Sequence, residues 1–228
     1  MLIHVISSDP DDRDHLAFLM RKAGFVVAAH ASLEHFLPSW NEQPADLVLL
    51  SWFGMDALEN EIHAIRDVSE AALIVLVDSA YDQQISTMLE AGADIVLLRP
   101  FGPRTLIAYT HRLLRRSGSI PAFTLPIIDV DTIRLDPSTR TISLKQGETV
   151  RMTQLEFRLL YTLMSNRDQV IPIENLIERV WGYEGTGSRE LARGLISRLR
   201  AKIEEDPRNP QLIHTISGVG YLFQSGHL

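Results

Sequence analysis

Five basic side chains and one acid fall in the fourteen positions from Arg189 to Lys202: Arg189, Arg193, Arg198, Arg200 and Lys202 against Glu190. Guanidinium groups at this density suit phosphate and base-edge recognition, because the Arg fork pairs bidentately with phosphate oxygens or with guanine O6 and N7. The same stretch carries Ala192, Leu195 or Ile196, Leu199 and Ile203 at the i, i+3/i+4, i+7 spacing of a packed helix. A helix divided in this way fits the major groove of double-stranded DNA. Arg193, Ser197 and Arg198 then lie on the base-edge side, while Arg189, Arg200 and Lys202 meet phosphates, which position the helix without reading sequence. Elsewhere the reactive residue types do not converge. The chain has no cysteine, so no thiolate ligand or nucleophile exists. Its eight histidines show no HExxH or paired ligand spacing, and neither a metal nor another cofactor is expected. Ser51 lacks the flanking glycines of a nucleophile elbow, so no enzyme is expected. Trp40 and Trp52 are the aromatic candidates for ligand contact, and Trp52, beside Ser51, is the better placed of the two.

The elements that must carry these residues fall into two grammars. Over residues 1–117, short aliphatic runs (Leu2–Ile6, Phe25–Ala29, Leu47–Leu50, Leu73–Val77, Ile95–Leu98) alternate with amphipathic stretches such as Pro10–Ala23, Tyr81–Ala91 and Pro103–Arg116. Runs that are apolar throughout are how parallel strands covered on both faces read. Five such βα units predict an α/β domain, a doubly wound five-stranded parallel sheet with any site at the carboxyl ends of its strands. Residues 118–126 read as a linker, punctuated by Gly and Pro and free of charge. From 127 to 228 the pattern changes to short alternating strands, then a capping box at Thr153-Gln154-Leu155-Glu156, a helix after Pro172, the basic helix, and two strands around a Gly-bearing turn at 213–223. A small sheet, three helices and a terminal hairpin predict an α+β winged helix-turn-helix. The net charge of −7 sits in the first half, which holds nine basic and sixteen acidic residues up to Gly118; the second half is balanced at thirteen each. No apolar run reaches the roughly 18 residues of a membrane span, and the opening residues lack a basic region before a long apolar core. A cytoplasmic protein without membrane contact is the expectation.

This order of motifs resembles response regulators of the OmpR/PhoB type across nearly the whole chain. The resemblance rests on Ala45-Asp46-Leu47-Val48-Leu49-Leu50, Ala91-Gly92-Ala93-Asp94 and Arg99-Pro100-Phe101 in the first half. In the second half it rests on Thr153-Gln154-Leu155-Glu156-Phe157, Arg179-Val180-Trp181-Gly182-Tyr183, Ile196-Ser197-Arg198-Leu199-Arg200-Ala201-Lys202 and Gly218-Val219-Gly220-Tyr221. It implies a CheY-like receiver and a DNA-binding domain of a two-component transcription regulator, with a wing near Thr215, Ser217 and Tyr221 at the minor groove. It also implies a receiver pocket that this chain does not keep. The acidic pair that holds Mg²⁺ falls on Ser7 and Ser8, the phosphoacceptor on Ser51, the hydroxyl position on Val77 and the lysine on Arg99. A hard cation wants carboxylate oxygens, and a serine hydroxyl is a poor nucleophile without an activating base, so aspartyl phosphorylation is not expected. Arg99 is expected to pair with one of Asp9 and Asp78, which lie at strand ends converging on the same edge.

Family dimers join through the fourth helix, fifth strand and fifth helix by ion pairs, and the charged positions fall here on Thr87, Ile95, Thr105 and Tyr109. Exposed ion pairs contribute roughly 0–1 kcal/mol each, whereas a buried aromatic or Ile contributes about 1.5–3 kcal/mol. An apolar face of Ile85, Met88, Leu89, Ile95 and Tyr109 is therefore expected to hold a constitutive homodimer, although helical periodicity turns Met88 or Leu89 to the sheet. By resemblance the loop 181–187, with Glu184, adds RNA polymerase as a partner. The expectation is a phosphorylation-independent dimeric transcription regulator. The alternative is a ligand- or partner-gated signalling adaptor whose pseudo-receiver binds a small molecule or protein.

Overall fold

The computed structural model describes residues 1–54, 58–115, 125–130, 133–144, 147–181 and 188–225. The chain divides into two compact units, Met1–Arg116 and Ser117–Leu228. Of the expected linker 118–126, only Leu125 and Pro126 are among the described residues.

In the first unit, strands β1 (Leu2–Ser7), β2 (Val26–His30), β3 (Leu47–Ser51), β4 (Ala72–Val77) and β5 (Ile95–Leu98) form one parallel sheet in the order β2-β1-β3-β4-β5. Helices α1 (Pro10–Lys22), α2 (Leu33–Glu42), α3 (Leu58–Val68), α4 (Asp82–Ala91) and α5 (Pro103–Arg115) connect and follow the strands. β3 and β4 are buried at every residue, as their unbroken aliphatic runs require, while edge strand β2 is only partly covered. α1 begins with Pro10 in its first turn after Asp9, whose carboxylate accepts from the Asp12 N–H at 2.8 Å, and it buries Leu16, Ala17, Leu19 and Met20. Gly92 ends α4 at φ 139°, and a Cβ there would come within 2.6 Å of Arg66 Cγ. The Arg66 guanidinium donates to the Gly92 carbonyl at 2.9 and 2.8 Å and pairs with buried Asp94 at 3.0 Å. Asp94 in turn accepts from the Leu73 N–H at 2.9 Å, which ties α3 and the α4–β5 turn to the start of β4.

The second unit opens with an antiparallel sheet of β6 (Ile128–Val130), β7 (Ile133–Asp136), β8 (Thr141–Leu144) and β9 (Thr149–Arg151). Three helices follow, α6 (Gln154–Ser165), α7 (Ile173–Val180) and α8 (Ser188–Ile203), and each packs on the other two. β10 (Ile171–Pro172), β11 (Ile213–Ile216) and β12 (Gly220–Phe223) make the second sheet, in the order β10-β12-β11. The capping box opens α6: the Glu156 N–H donates to Thr153 Oγ1 at 3.3 Å and the Thr153 N–H to Glu156 Oε2 at 2.9 Å. Gly220 is required at its position, since a Cβ would lie 2.0 Å from the Ile171 carbonyl oxygen.

One partly buried polar pair stands out in the first unit. His4 Nε2 lies 2.8 Å from the Gln43 carbonyl oxygen and must therefore carry a proton; His4 Nδ1 lies 2.6 Å from His30 Nε2. A single proton bridges that contact, so both rings cannot become imidazolium and keep it. Desolvation lowers the affinity of both rings for a proton, and for His30 the neighbouring His4 adds to it. A folded-state pKa below the unfolded value near 6.5 means stability is full above about 6.5 and declines as the pH falls. Thermal melts of the whole chain are expected to shift downward from pH 7 to pH 5, and His30→Gln, which removes one titrating ring, to make that shift smaller.

Candidate functional site

At the carboxyl edge of the first sheet, Ser7 and Ser51 are register partners on β1 and β3, and both are buried. Between them stands Asp12, at the third position of α1. Its Oδ2 accepts from Ser7 Oγ at 2.9 Å and, through a short hydrogen bond, from Ser51 Oγ. Arg99 enters from the end of β5, where its N–H donates to the Val77 carbonyl at 2.8 Å. Its Nη2 lies 3.1 Å from Asp12 Oδ1 and 2.6 Å from Ser51 Oγ, and its Nη1 is 3.5 Å from Asp78 Oδ1. The guanidinium also sits 4.7 Å from the Phe53 ring centroid and 5.8 Å from that of Phe101. The expected pairing with Asp78 is present but outlying; Asp9 does not pair, because its carboxylate caps α1, and Asp12 takes its place. The Asp9-x-x-Asp12 spacing of a helix start carried that signal. Ser8 is exposed beyond the end of β1, and Val77 is a buried apolar side chain at the end of β4. Every oxygen that faces Arg99 is thus engaged inside the cluster: the Ser51 hydroxyl donates to a carboxylate and accepts from a guanidinium.

On α4, β5 and α5 the expected apolar face divides. Met88, Leu89 and Ile95 are only 2, 2 and 4% exposed and belong to the core, the first two on α4 and Ile95 within β5 of the sheet. Ile85, Thr87 and Tyr109 are half-buried and Thr105 is exposed. The apolar groups left open are ones the sequence reading missed: Tyr81 at 81% and Leu98 at 41% exposure.

In the second unit α8 buries Ala192, Leu195, Ile196, Leu199 and Ile203, as its periodicity requires. Its cations serve different ends. Arg198, expected on base edges, is 9% exposed and lies 4.0 Å from Glu156 Oε1. Lys202, expected on phosphate, donates to Glu156 Oε2 at 2.8 Å and to the Arg151 carbonyl at 3.1 Å. Burial by itself would raise the Glu156 carboxyl. The charges of Arg198 and Lys202, the Lys202 hydrogen bond and the Thr153 N–H outweigh it and hold the group below the usual carboxylate range. Arg200 donates to the Ile213 carbonyl at 3.0 and 2.6 Å and to Thr215 Oγ1 at 2.9 Å, which joins α8 to β11. Arg189 reaches Glu174 of α7 at 2.6 Å on the surface. Arg193 projects outward, two-thirds exposed and 3.9 Å from Glu190, with half-buried Ser197 one turn on. Ser217, Gly218 (φ 73°) and Val219 form the exposed turn between β11 and β12. Tyr221 is buried, and desolvation pushes its hydroxyl up while nearby Arg193 and Arg200 draw it down. The expected polymerase contact, Glu184 in residues 182–187, lies outside the described residues.

Residues 147–223 match the family "Transcriptional regulatory protein, C terminal". The chain is 34% identical over 221 residues to the DNA-binding response regulator MtrA of Mycolicibacterium smegmatis, covering 96% of this chain and 95% of that protein. It is 32% identical to the sensory transduction protein RegX3 of Mycobacterium bovis, covering 95 and 96%. Among solved structures a RitR mutant superposes with a TM-score of 0.79 over 99% of both chains at 22% identity, a likeness of fold. Among the described residues no helix is long and apolar enough to cross a membrane.

Replacing Glu156 by Gln leaves two cations facing a neutral amide in the interior. Removing one member of a buried ion pair costs about 3–5 kcal/mol, so E156Q is expected to lower the melting temperature of the second unit sharply, and Lys202→Met, at the partly exposed end, to lower it less. Because the folded pKa is depressed, the wild-type contribution is present above the unfolded value near 4.3 and is lost as pH falls below it. Acid denaturation followed by circular dichroism is expected to lose that limb in E156Q.

Proposed function

From the membership of this chain in the OmpR/PhoB-type response regulators, which its relatives establish over 96% of its length, we propose that it is a transcription regulator that binds double-stranded DNA as a homodimer and works without phosphorylation. The α8 helix is the reading element. Arg193 is its outward guanidinium and Ser197 the hydroxyl beside it, and these two take the base edges. Arg189 takes phosphate, with Ser217 and Thr215 of the β11–β12 hairpin at the adjacent groove. Arg198 and Lys202 hold Glu156 instead, and Arg200 braces the helix. RNA polymerase is the further partner that the family implies.

The observation that carries phosphorylation independence is the closed cluster around Ser51. Receivers of this family use Mg²⁺, and the donor set here does not suit it: Ser7 and Ser8 offer hydroxyls, and both oxygens of Asp12 are already held by serines and Arg99. Arg99 supplies internally the positive charge that a metal brings. Dimerisation then rests on the exposed apolar groups Tyr81 and Leu98 with Ile85, Thr87, Thr105 and Tyr109.

Fluorescence anisotropy with a DNA site selected from a random duplex pool tests the reading element. Affinity is expected to fall steeply with salt. Arg193→Ala is expected to lose about 1–3 kcal/mol of discrimination between that site and random duplex; an unchanged ratio overturns the assignment. Sedimentation and DNA titration of the full chain with acetyl phosphate and Mg²⁺ test the second claim. The expected result is a dimer of unchanged DNA affinity, and a rise in either quantity on adding the donor contradicts it.

A further inference from the structure

Beside the Ser51 cluster, at the carboxyl ends of β1 and β3, a cleft of about 500 Å³ opens against α2 and α3. This volume lies within the range of small-molecule sites, roughly 300–1,000 Å³. Its place in the topology is also particular. From β1 the chain passes to β2 on one side, and β3 returns to the other, so strand order reverses between β1 and β3. Open α/β sheets bind ligands outside the carboxyl ends of their strands at such a reversal, and this cleft lies beside it, walled by α2 and α3, which pack on one another.

The lining has a polar floor, Ser7 and Ser51, and apolar surface from Leu37 and Trp52. Two carboxylates border it, Glu34 from the first turn of α2 and Glu61 from the first turn of α3. Among the described residues neither carboxylate makes an ion pair or hydrogen bond. Both residues line the cleft; burial pushes the Glu61 carboxyl up, and the like charge of Glu34 pushes it further. Bordering a concave apolar surface with two like charges costs free energy that a positive group between them would recover. The same charges reject anions, phosphate included.

We propose that this cleft binds a small organic cation with an aromatic or alkyl body, its ammonium between Glu34 and Glu61 and its body against Trp52 and Leu37. The proposal goes beyond the regulator reading and does not depend on it, since binding is measured without DNA.

Isothermal titration of the full-length chain with tryptamine, and in parallel with indole-3-acetate, tests the charge and the shape together. Saturable 1:1 binding of tryptamine and none of indole-3-acetate is the expected result. Glu34→Gln and Glu61→Gln are each expected to weaken tryptamine at least about tenfold, with melting curves to check that both variants fold. Binding is also expected to weaken as the pH falls through the Glu61 titration, because a protonated carboxyl no longer attracts the ammonium. No saturable binding at millimolar tryptamine, equal binding of the two indoles, or unchanged affinity in both Gln variants overturns the proposal.

Discussion

A carboxylate withdrawn from water must meet a positive charge or regain a proton, and this requirement organises both units of the chain. Asp94 is met by Arg66, Asp12 by Arg99, and Glu156 by Arg198 and Lys202. Each cation committed to an interior carboxylate is withdrawn from the surface. Of the five basic residues of α8, two neutralise Glu156 and one ties the helix to a strand, so the outward chemistry of the helix narrows to Arg193 and Arg189. In the first unit the same rule closes the pocket at Ser51, where a guanidinium stands against a carboxylate and a hydroxyl.

Asp12 and Glu156 occupy equivalent local positions. Each is the third residue of its helix, after a cap residue, Asp9 or Thr153, that accepts its backbone N–H. The helix N-terminus favours negative charge there. In α6 the acid reaches back to the N–H of its own cap and inward to Lys202. In α1 the cap residue is itself an aspartate, which frees Asp12 to reach over the strand ends to Arg99. One backbone motif therefore sets a carboxylate at the sheet edge of the first unit and in the interior of the second, and leaves distant residues to neutralise it.

Much of this was legible in the sequence. The unbroken aliphatic runs of β3 and β4 fixed buried parallel strands, and the Thr153-x-x-Glu156 spacing marked the start of α6 and its cap. The apolar stripe of α8 placed that helix correctly against its neighbours. What the stripe could not convey was which residues on the rest of the helix meet solvent. Arg198 and Lys202 face a carboxylate 46 residues away from Lys202 in the chain, a contact that helical periodicity does not encode. For the same reason the pairing of Arg99 with Asp78 was legible at the strand ends, whereas its second and closer partner, Asp12, was not, because the use of Asp9 as a helix cap sets Asp12 in place. Helical periodicity already turned one of Met88 and Leu89 to the sheet, and the structure buries both.

Arg200 grips the Ile213 carbonyl and the Thr215 hydroxyl with one guanidinium, and both acceptors belong to the strand that leads into the 217–219 turn. One side chain thereby couples the position of the helix to that of the hairpin, so that moving either one disturbs the other. The spacing between helix and hairpin is thus fixed by backbone and side-chain acceptors of one strand, independently of the side chains that point outward.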